Sequence, residues 1–297
     1  MSKKLYLITG ANSGLGLASA SRLAKMGRHV ILLCRNSERG EKALGKIRGQ
    51  SDNPDVELML VDLASQASIR QFADEFYNRY DHLNGLLNCA GIRVFDRRTT
   101  EESLELMFGS EYLGHFLLIT LLVPALISSA PSHIVTISGE GHKAGVESSV
   151  GASINFDDIQ YEKKWDVMRA SKQVVLAKIL FTYELARRLG GTGVSAHTVS
   201  PRFTRTNLSS HYPWLIRKIA EFQMWRAKAI APEIGADDVL YPLLDSALDG
   251  RTGKYFVEGR EAQSSPETYN VEDARRLWQI SEELVGQSFE FANHPSN

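Results

Sequence analysis

The chain has 297 residues, near the upper end for one domain and more than enough to bury a large core. Its 34 Lys and Arg against 35 Asp and Glu leave a net charge of −1 without a long run of either sign, which argues against a nucleic-acid footprint or an electrostatic membrane anchor. Cys34 and Cys89 have neither disulfide-framework nor metal-site spacing; they fit a reducing, cytoplasmic setting with no metal.

Met1-Ser2-Lys3-Lys4 runs straight into an apolar segment and reads as lacking a signal peptide. From there strand-like and helix-like stretches alternate, the pattern of an α/β fold with a doubly wound parallel sheet. The expected strands are Leu5–Thr9, His29–Leu33, Val56–Leu60, Leu83–Leu87, His133–Ser138, Val194–Ser200 and a short Tyr255–Val257. The expected helices are 15–26, 37–49, 67–80, a long one at 101–129, then 169–189, 232–246 and 271–285. Within the long helix, Phe116–Ile127 is the longest apolar stretch; it reads as buried, being too short to span a bilayer. The connection 139–166 is long for a compact domain, and such loops often form part of a site. Segment 203–231 is rich in aromatics (Phe203, Tyr212, Trp214, Phe222, Trp225). It reads as a lid over the C-terminal edge of the sheet, or as a helical hairpin packed on the core. No repeat or linker interrupts the pattern, so residues 1–297 are expected to form one domain of about seven strands.

Thr9-Gly10-Ala11-Asn12-Ser13-Gly14-Leu15-Gly16 joins the first strand to the first helix. This is the opening of a βαβ nucleotide-binding unit. Gly10 turns the chain sharply, Gly14 leaves room for a pyrophosphate against the backbone, and Gly16 lets the helix pack close to the sheet. The helix start offers unsatisfied N–H groups and a positive dipole end to the phosphates. The end of the second strand selects the dinucleotide: a carboxylate there holds a ribose 2′-hydroxyl, an arginine a 2′-phosphate. The chain reads Leu33-Cys34-Arg35-Asn36, with Arg39 close behind. The planar fork of Arg35 favours NADP(H) over NAD(H). Asp62-Leu63 stands where an adenine edge is read, although Asp62 also suits a helix start.

Thr9–Gly16, Asp62-Leu63, Asn88-Cys89-Ala90-Gly91, Leu113-Gly114-His115-Phe116-Leu117-Leu118, the Ile179–Leu189 segment and the tail Gly253-Lys254-Tyr255-Phe256 together resemble the short-chain dehydrogenase/reductase family, in its retinol-dehydrogenase-like branch. The likeness covers essentially the whole chain. It implies a Rossmann sheet with nicotinamide over the C-terminal edge, and homodimers in which the 101–129 and 169–189 helices pair; their apolar faces serve equally well as core. It carries Gly10, Asn12, Ser13, Gly14, Leu15, Gly16, Arg35, Asp62, Leu63, Asn88, Ala90, Gly91, Pro201, Thr204 and Thr206 over as cofactor-binding positions. Cys89 departs mildly from the family's Asn-Asn-Ala-Gly motif.

The same likeness implies hydride transfer assisted by an Asn, a Ser, a Tyr and a Lys, because a carbonyl oxygen gaining charge needs a donor of suitable pKa. All four positions differ here. Glu111 takes the Asn slot and Gly139 the Ser slot. An ungapped reading from Ile154 to Leu189 puts Ser171 in the Tyr slot and Val175 in the Lys slot; a gapped one, using Lys172, would rotate the 179–189 face off the core. Arg202 follows Pro201 where the family has glycine. Glu111 is therefore a candidate acid or base, or half of an ion pair, with Arg202 as the expected partner. Ser171 is a candidate donor or a small filler, and Arg202 a candidate for gripping a carboxylate or polarising a carbonyl. Glu140 and His142 read as loop residues beside the site. Three functions stay open: an NADP(H)-dependent reductase with another proton source, acting on an activated small molecule such as an iminium or conjugated alkene; a non-redox isomerase or cyclase in the same pocket; and a catalytically silent dinucleotide-binding protein.

Overall fold

The structure, a computed structural model, describes residues 3–146, 149–204, 214, 218 and 229–291. The first half alternates as the apolar pattern predicts: β1 (Leu5–Thr9), α1 (Gly14–Lys25), β2 (His29–Cys34), α2 (Ser37–Ser51), β3 (Val56–Leu60), α3 (Gln66–Tyr77) and β4 (Gly85–Asn88). A π-helical turn, Phe108–Leu113, then runs directly into α4 (Gly114–Ser128). The rest comprises β5 (Ser132–Ile137), α5 (Val167–Arg188), β6 (Val194–Ser200), α6 (Pro232–Leu244), β7 (Lys254–Val257), β8 (Arg260–Ala262) and α7 (Val271–Val285).

All the strands form one sheet in the order β3-β2-β1-β4-β5-β6-β7-β8. β1 to β7 are parallel and β8 is antiparallel to β7. This is the doubly wound Rossmann arrangement, whose order reverses between β1 and β4. Every residue of β1 is buried, because the strand lies mid-sheet with helices on both faces. Its alternate side chains feed two cores. Leu5 and Leu7 join the core under α3, α4, α5 and α7. Tyr6 and Ile8 join the one under α1, α2 and α6.

Three expectations need correction. The sheet has eight strands among the described residues rather than about seven, because a two-residue turn at Glu258-Gly259 (φ 52° and 73°) folds the chain back after β7. Glycine is usual in such a turn, but a glutamate at positive φ gives no sequence signal. The long helix does not begin at Glu101. Residues 99–105 make a small loop closed by a Thr99–Glu105 bridge, with Ser103 at φ 62°. The buried Glu105 carboxylate accepts from Met107 N and Phe108 N, at 3.0 and 2.8 Å, and starts the helix there. Finally, the apolar helix is longer than the Phe116–Ile127 stretch: Phe108–Ser128 is 21 residues and holds an 18-residue window of mean hydropathy 1.6, long and apolar enough to cross a membrane by length and composition, yet 78% of that window is buried inside the fold, as expected for a core helix.

The outer faces of α4 and α5 are core. Trp278 of α7 stacks on Phe181 with ring centroids 5.7 Å apart and meets Phe116 edge-on at 4.9 Å. Tyr112 and Ser281 join hydroxyls at 2.7 Å beneath them. Of the aromatic segment 203–231, Tyr212, Phe222 and Trp225 lie outside the described residues, and with them most of the expected lid. Phe203 and Trp214 are exposed.

Candidate functional site

The C-terminal ends of the parallel strands open into a cavity of about 1250 Å³ at the point where the strand order reverses. Gly10, Asn12, Ser13, Gly14 and Leu15 line it, with Arg35, Asn36 and Arg39 beyond β2, Asp62 and Leu63 beyond β3, and Ala90 and Gly91 beyond β4. The turn is built for close approach. Gly10 has φ 66°, and a Cβ there would sit 2.9 Å from the Ala90 Cα; Gly14 has φ 52°. Ser13 starts α1 in extended backbone without capping it by its side chain, whereas Asn36, Ser65, Asp166 and Asn270 do cap their helices. The first N–H groups of α1 therefore look for an acceptor in the cavity. A phosphate fits that cradle, and the guanidinium pair at 35 and 39 fits a second one.

Two expected cofactor positions act from behind the wall. Gly16 does not line the cavity; a Cβ there would meet the Gly10 carbonyl oxygen at 2.5 Å, so it serves helix packing. Asn88 is buried, donating to Thr136 Oγ1 at 3.3 Å within the sheet. Pro201 and Thr204 line the cavity. Thr206 lies outside the described residues.

At the other end, Glu111 reaches the cavity from the π turn, a helical distortion frequent at functional sites. Its partner is not Arg202. Oε1 accepts from Arg93 Nη1 at 2.5 Å and from Ile92 N at 2.9 Å, and Oε2 accepts from Lys178 Nζ at 3.2 Å. Glu111 and Lys178 are 2% and 7% exposed. Burial pushes the Glu111 carboxyl up, but Arg93, Lys178 and the Ile92 N–H outweigh it and hold the group below its usual range. Burial likewise lowers Lys178, against the pull of Glu111. Arg202 also lines the cavity, but its guanidinium is taken by Asp238 of α6, which is buried and needs a cation. Nε and Nη2 of Arg202 bind its two oxygens at 2.9 Å each.

Val175 lines the cavity, and its carbonyl accepts from Ser138 Oγ at 3.0 Å. Ser171, one turn earlier on α5, is half-buried and does not line the cavity. Lys172 does not line the cavity, and its amine donates to the Val150 carbonyl at 2.5 Å. Gly139 lines the cavity with no atom near its would-be Cβ, and Glu140 lines it while pairing with Lys143. His142 is fully buried against Tyr255, with Nδ1 at 2.8 Å from the Gly139 carbonyl. Burial pushes Cys89 up to about 12 and lowers His115 to about 4, so neither carries charge at neutral pH. No tyrosine lines the cavity among the described residues.

A family model described as short chain dehydrogenase matches residues 4–153. Mouse (Mus musculus) retinol dehydrogenase 14 is 39% identical over 96% of this chain and 87% of its own length. The chain belongs to the short-chain dehydrogenase family. Mouse retinol dehydrogenase 13 is also 39% identical, over 95% of the chain and 84% of its own length. Among solved structures, an uncharacterized protein from Mycobacterium paratuberculosis matches with TM-score 0.76 and 27% identity, covering 98% of this chain and 96% of the other. A polyketide ketoreductase crystallised with NADPH matches with TM-score 0.67 at 21% identity, over 87% of this chain and 98% of the other; it shares the fold. Short-chain dehydrogenases are oxidoreductases that bind nicotinamide dinucleotides.

Within this short-chain dehydrogenase, sequence reasoning missed Arg93, Lys178 and Asp238. Lys178 left a signal: it is a single charge inside the apolar run Val174–Phe181, on the face of Val175 three residues before. A cation so placed must be paired. Arg93 left none, because loop geometry alone brings it to Glu111.

Proposed function

We propose that this short-chain dehydrogenase is an NADP(H)-dependent reductase that acts on an activated small molecule without a tyrosine proton donor. The observation that carries the reading is the pairing at Glu111: the carboxylate that takes the family's Asn slot is held ionised by three donors. It is thereby removed as an acid. When bound, the dinucleotide supplies the hydride. Residues 10–15 would hold its pyrophosphate, Arg35 and Arg39 its 2′-phosphate, Asp62 and Leu63 its adenine, and Ala90 and Gly91 would flank its nicotinamide half. Glu111 would then position the 91–93 turn against the substrate rather than donate to it. Ser171 is set back from the cavity and Arg202 is engaged with Asp238, which takes two further candidates away from proton transfer. A substrate whose reduction makes little demand on an acid, such as an iminium or a conjugated alkene, suits this arrangement better than a simple ketone. The locked carboxylate also favours, as the second reading, a silent dinucleotide-binding protein; it weighs against the isomerase, which needs a free acid–base group.

The test is a titration of the purified protein with NADPH, NADP+ and NADH, followed by a screen for loss of the reduced-nicotinamide absorbance. Conjugated alkenes and iminium ions are expected to turn over faster than plain ketones. Rapid ketone reduction would overturn the atypical chemistry. Tight NADPH binding without turnover of any class would favour the silent protein.

A further inference from the structure

Gly139 is a glycine that neither its backbone nor its packing calls for. A chain needs glycine for a positive φ or for want of space beside the Cα. Gly10 shows both, with φ 66° and the Ala90 Cα 2.9 Å from where a Cβ would sit. Gly139 shows neither. Its backbone is extended, at φ −169° and ψ 172°, a conformation that any residue adopts. A Cβ built on it meets no atom within 4 Å. The residue lines the cavity, so the open space beside it is cavity. Where the family resemblance puts a serine, this chain leaves room.

The surroundings decide what the room suits. The Ser138 hydroxyl ties the end of β5 to the Val175 carbonyl of α5 at 3.0 Å. Lys178, one turn on, binds Glu111, and Glu111 holds Ile92 N. Gly139, Val175 and Ile92 are thereby brought to one end of the cavity, which Leu106 and Ile137 also line. Four polar side chains there are already committed: Ser138 to Val175, Ser110 Oγ to the Leu106 carbonyl at 2.6 Å, Glu111 to its three donors and Arg202 to Asp238. An apolar group gains by leaving water in such a place, whereas a polar one finds these partners taken.

The geometry points to Gly139 as a specificity-determining position: the room beside it receives an apolar substituent carried on the carbon that accepts the hydride. This rests on the reductase reading of the cavity and narrows its substrates to conjugated alkenes or iminium ions with a bulky apolar group at the reacting carbon.

Ethylideneacetone and benzylideneacetone are conjugated alkenes that differ at that carbon, methyl against phenyl. With NADPH, the wild type is expected to favour benzylideneacetone in kcat/KM by about tenfold or more, the discrimination that a larger apolar group in a fitting pocket supplies. Gly139→Leu fills the room and should reverse the preference; Gly139→Ala should reduce it. Both variants should keep the wild-type melting temperature and NADPH affinity, because the added atoms enter empty space. A wild type that prefers the methyl compound, or a folded Gly139→Leu with the wild-type preference, would overturn the proposal. So would a loss of NADPH affinity in Gly139→Leu, which would assign the room to the cofactor. Should Gly139→Leu fail to fold, Gly139→Ala decides by the same comparison. Should neither alkene turn over, the reductase reading fails and binding alone tests the room. Calorimetric titration with benzylacetone, the saturated and unreactive analogue, should then show binding to the wild type that Gly139→Leu weakens about tenfold or more. Equal affinity for both proteins, or none for the wild type, refutes a substituent site at Gly139.

Discussion

Glu111→Gln isolates what the buried charge cluster contributes. The amide oxygen of glutamine keeps an acceptor for Ile92 N and Arg93, but the side chain loses the charge that Lys178 faces at 3.2 Å. An ammonium only 7% exposed is then left without its counter-ion. Breaking a buried pair from one side costs about 3–5 kcal/mol. Lys178→Met is the milder cut, because Glu111 retains Arg93, and about 1.5–3 kcal/mol is expected from the lost charge-assisted bond. The double variant removes both the charge and its partner, so its destabilisation should fall short of the sum by about 1–3 kcal/mol. Urea unfolding at pH 7, read as midpoint shifts at constant slope, measures all three. The pH dependence has a definite sign. The folded-state pKa of Glu111 lies below that of a free glutamate, so the pair's contribution is complete above the unfolded value and is lost as pH falls through the folded one. Strict additivity, or a Glu111→Gln variant within about 0.5 kcal/mol of wild type, the scatter of neutral surface changes, would refute the account. Arg202→Ala provides the control: it strands Asp238, yet its effect should add to that of Glu111→Gln without coupling.

Further outcomes follow from other parts of the molecule. Arg35→Ala should weaken NADPH roughly tenfold to a hundredfold and NADH little, as loss of a charge-assisted phosphate contact of about 1.5–3 kcal/mol requires; equal losses for both, by fluorescence titration, would remove Arg35 from selection. Burial holds His197 neutral down to about pH 3, against 6.5 in the unfolded chain. The unfolded state therefore binds the extra proton between those values, and stability must fall as pH drops below 6.5. His197→Phe should flatten that part of a melting-temperature profile, and an unchanged slope would assign acid sensitivity elsewhere. Tyr112→Phe, which leaves the buried Ser281 hydroxyl with its Leu277 acceptor alone, should cost about 1 kcal/mol without altering NADPH affinity; a tenfold affinity change would show α7 and the cavity to be coupled.

The fold was legible because its signals are local. Apolar runs at 5–9 and 194–200 and the glycine turn at 10–16 each specify their own conformation, and the structure places them as expected. The glycine-turn end of the cavity was legible for the same reason: residues within a few positions of a strand end line it whatever the rest of the chain does. The reaction half was not. Glu111 was found by its slot, but its partner was sought at Arg202, next to the nicotinamide position, when the buried Asp238 claims that arginine and a loop arginine and a helix lysine from elsewhere claim Glu111. Ser171 was placed by register alone, and register does not say how far a short side chain reaches. The same holds for the helix drawn from Glu101, where a buried carboxylate four residues on decides the start.

The six-residue π turn ahead of α4 has a consequence of its own. A helix with one surplus residue changes phase: side chains before and after it are offset by roughly 100° from where an unbroken α-helix would put them. That offset lets a single rod point Glu111 at the cavity wall and its Arg93 and Lys178 partners while Phe116, five residues later, points into the aromatic core beside Trp278. Direction here belongs to chain length, and no substitution at 111 can test it. A deletion can. Losing Ser110 would leave a regular helix whose two halves compete for alignment, and the larger apolar half should win. The expected protein is helical and folded by circular dichroism, yet its 91–93 turn is no longer tied down and becomes open to limited proteolysis. A deletion variant with the wild-type proteolysis pattern would mean that the surplus residue is idle.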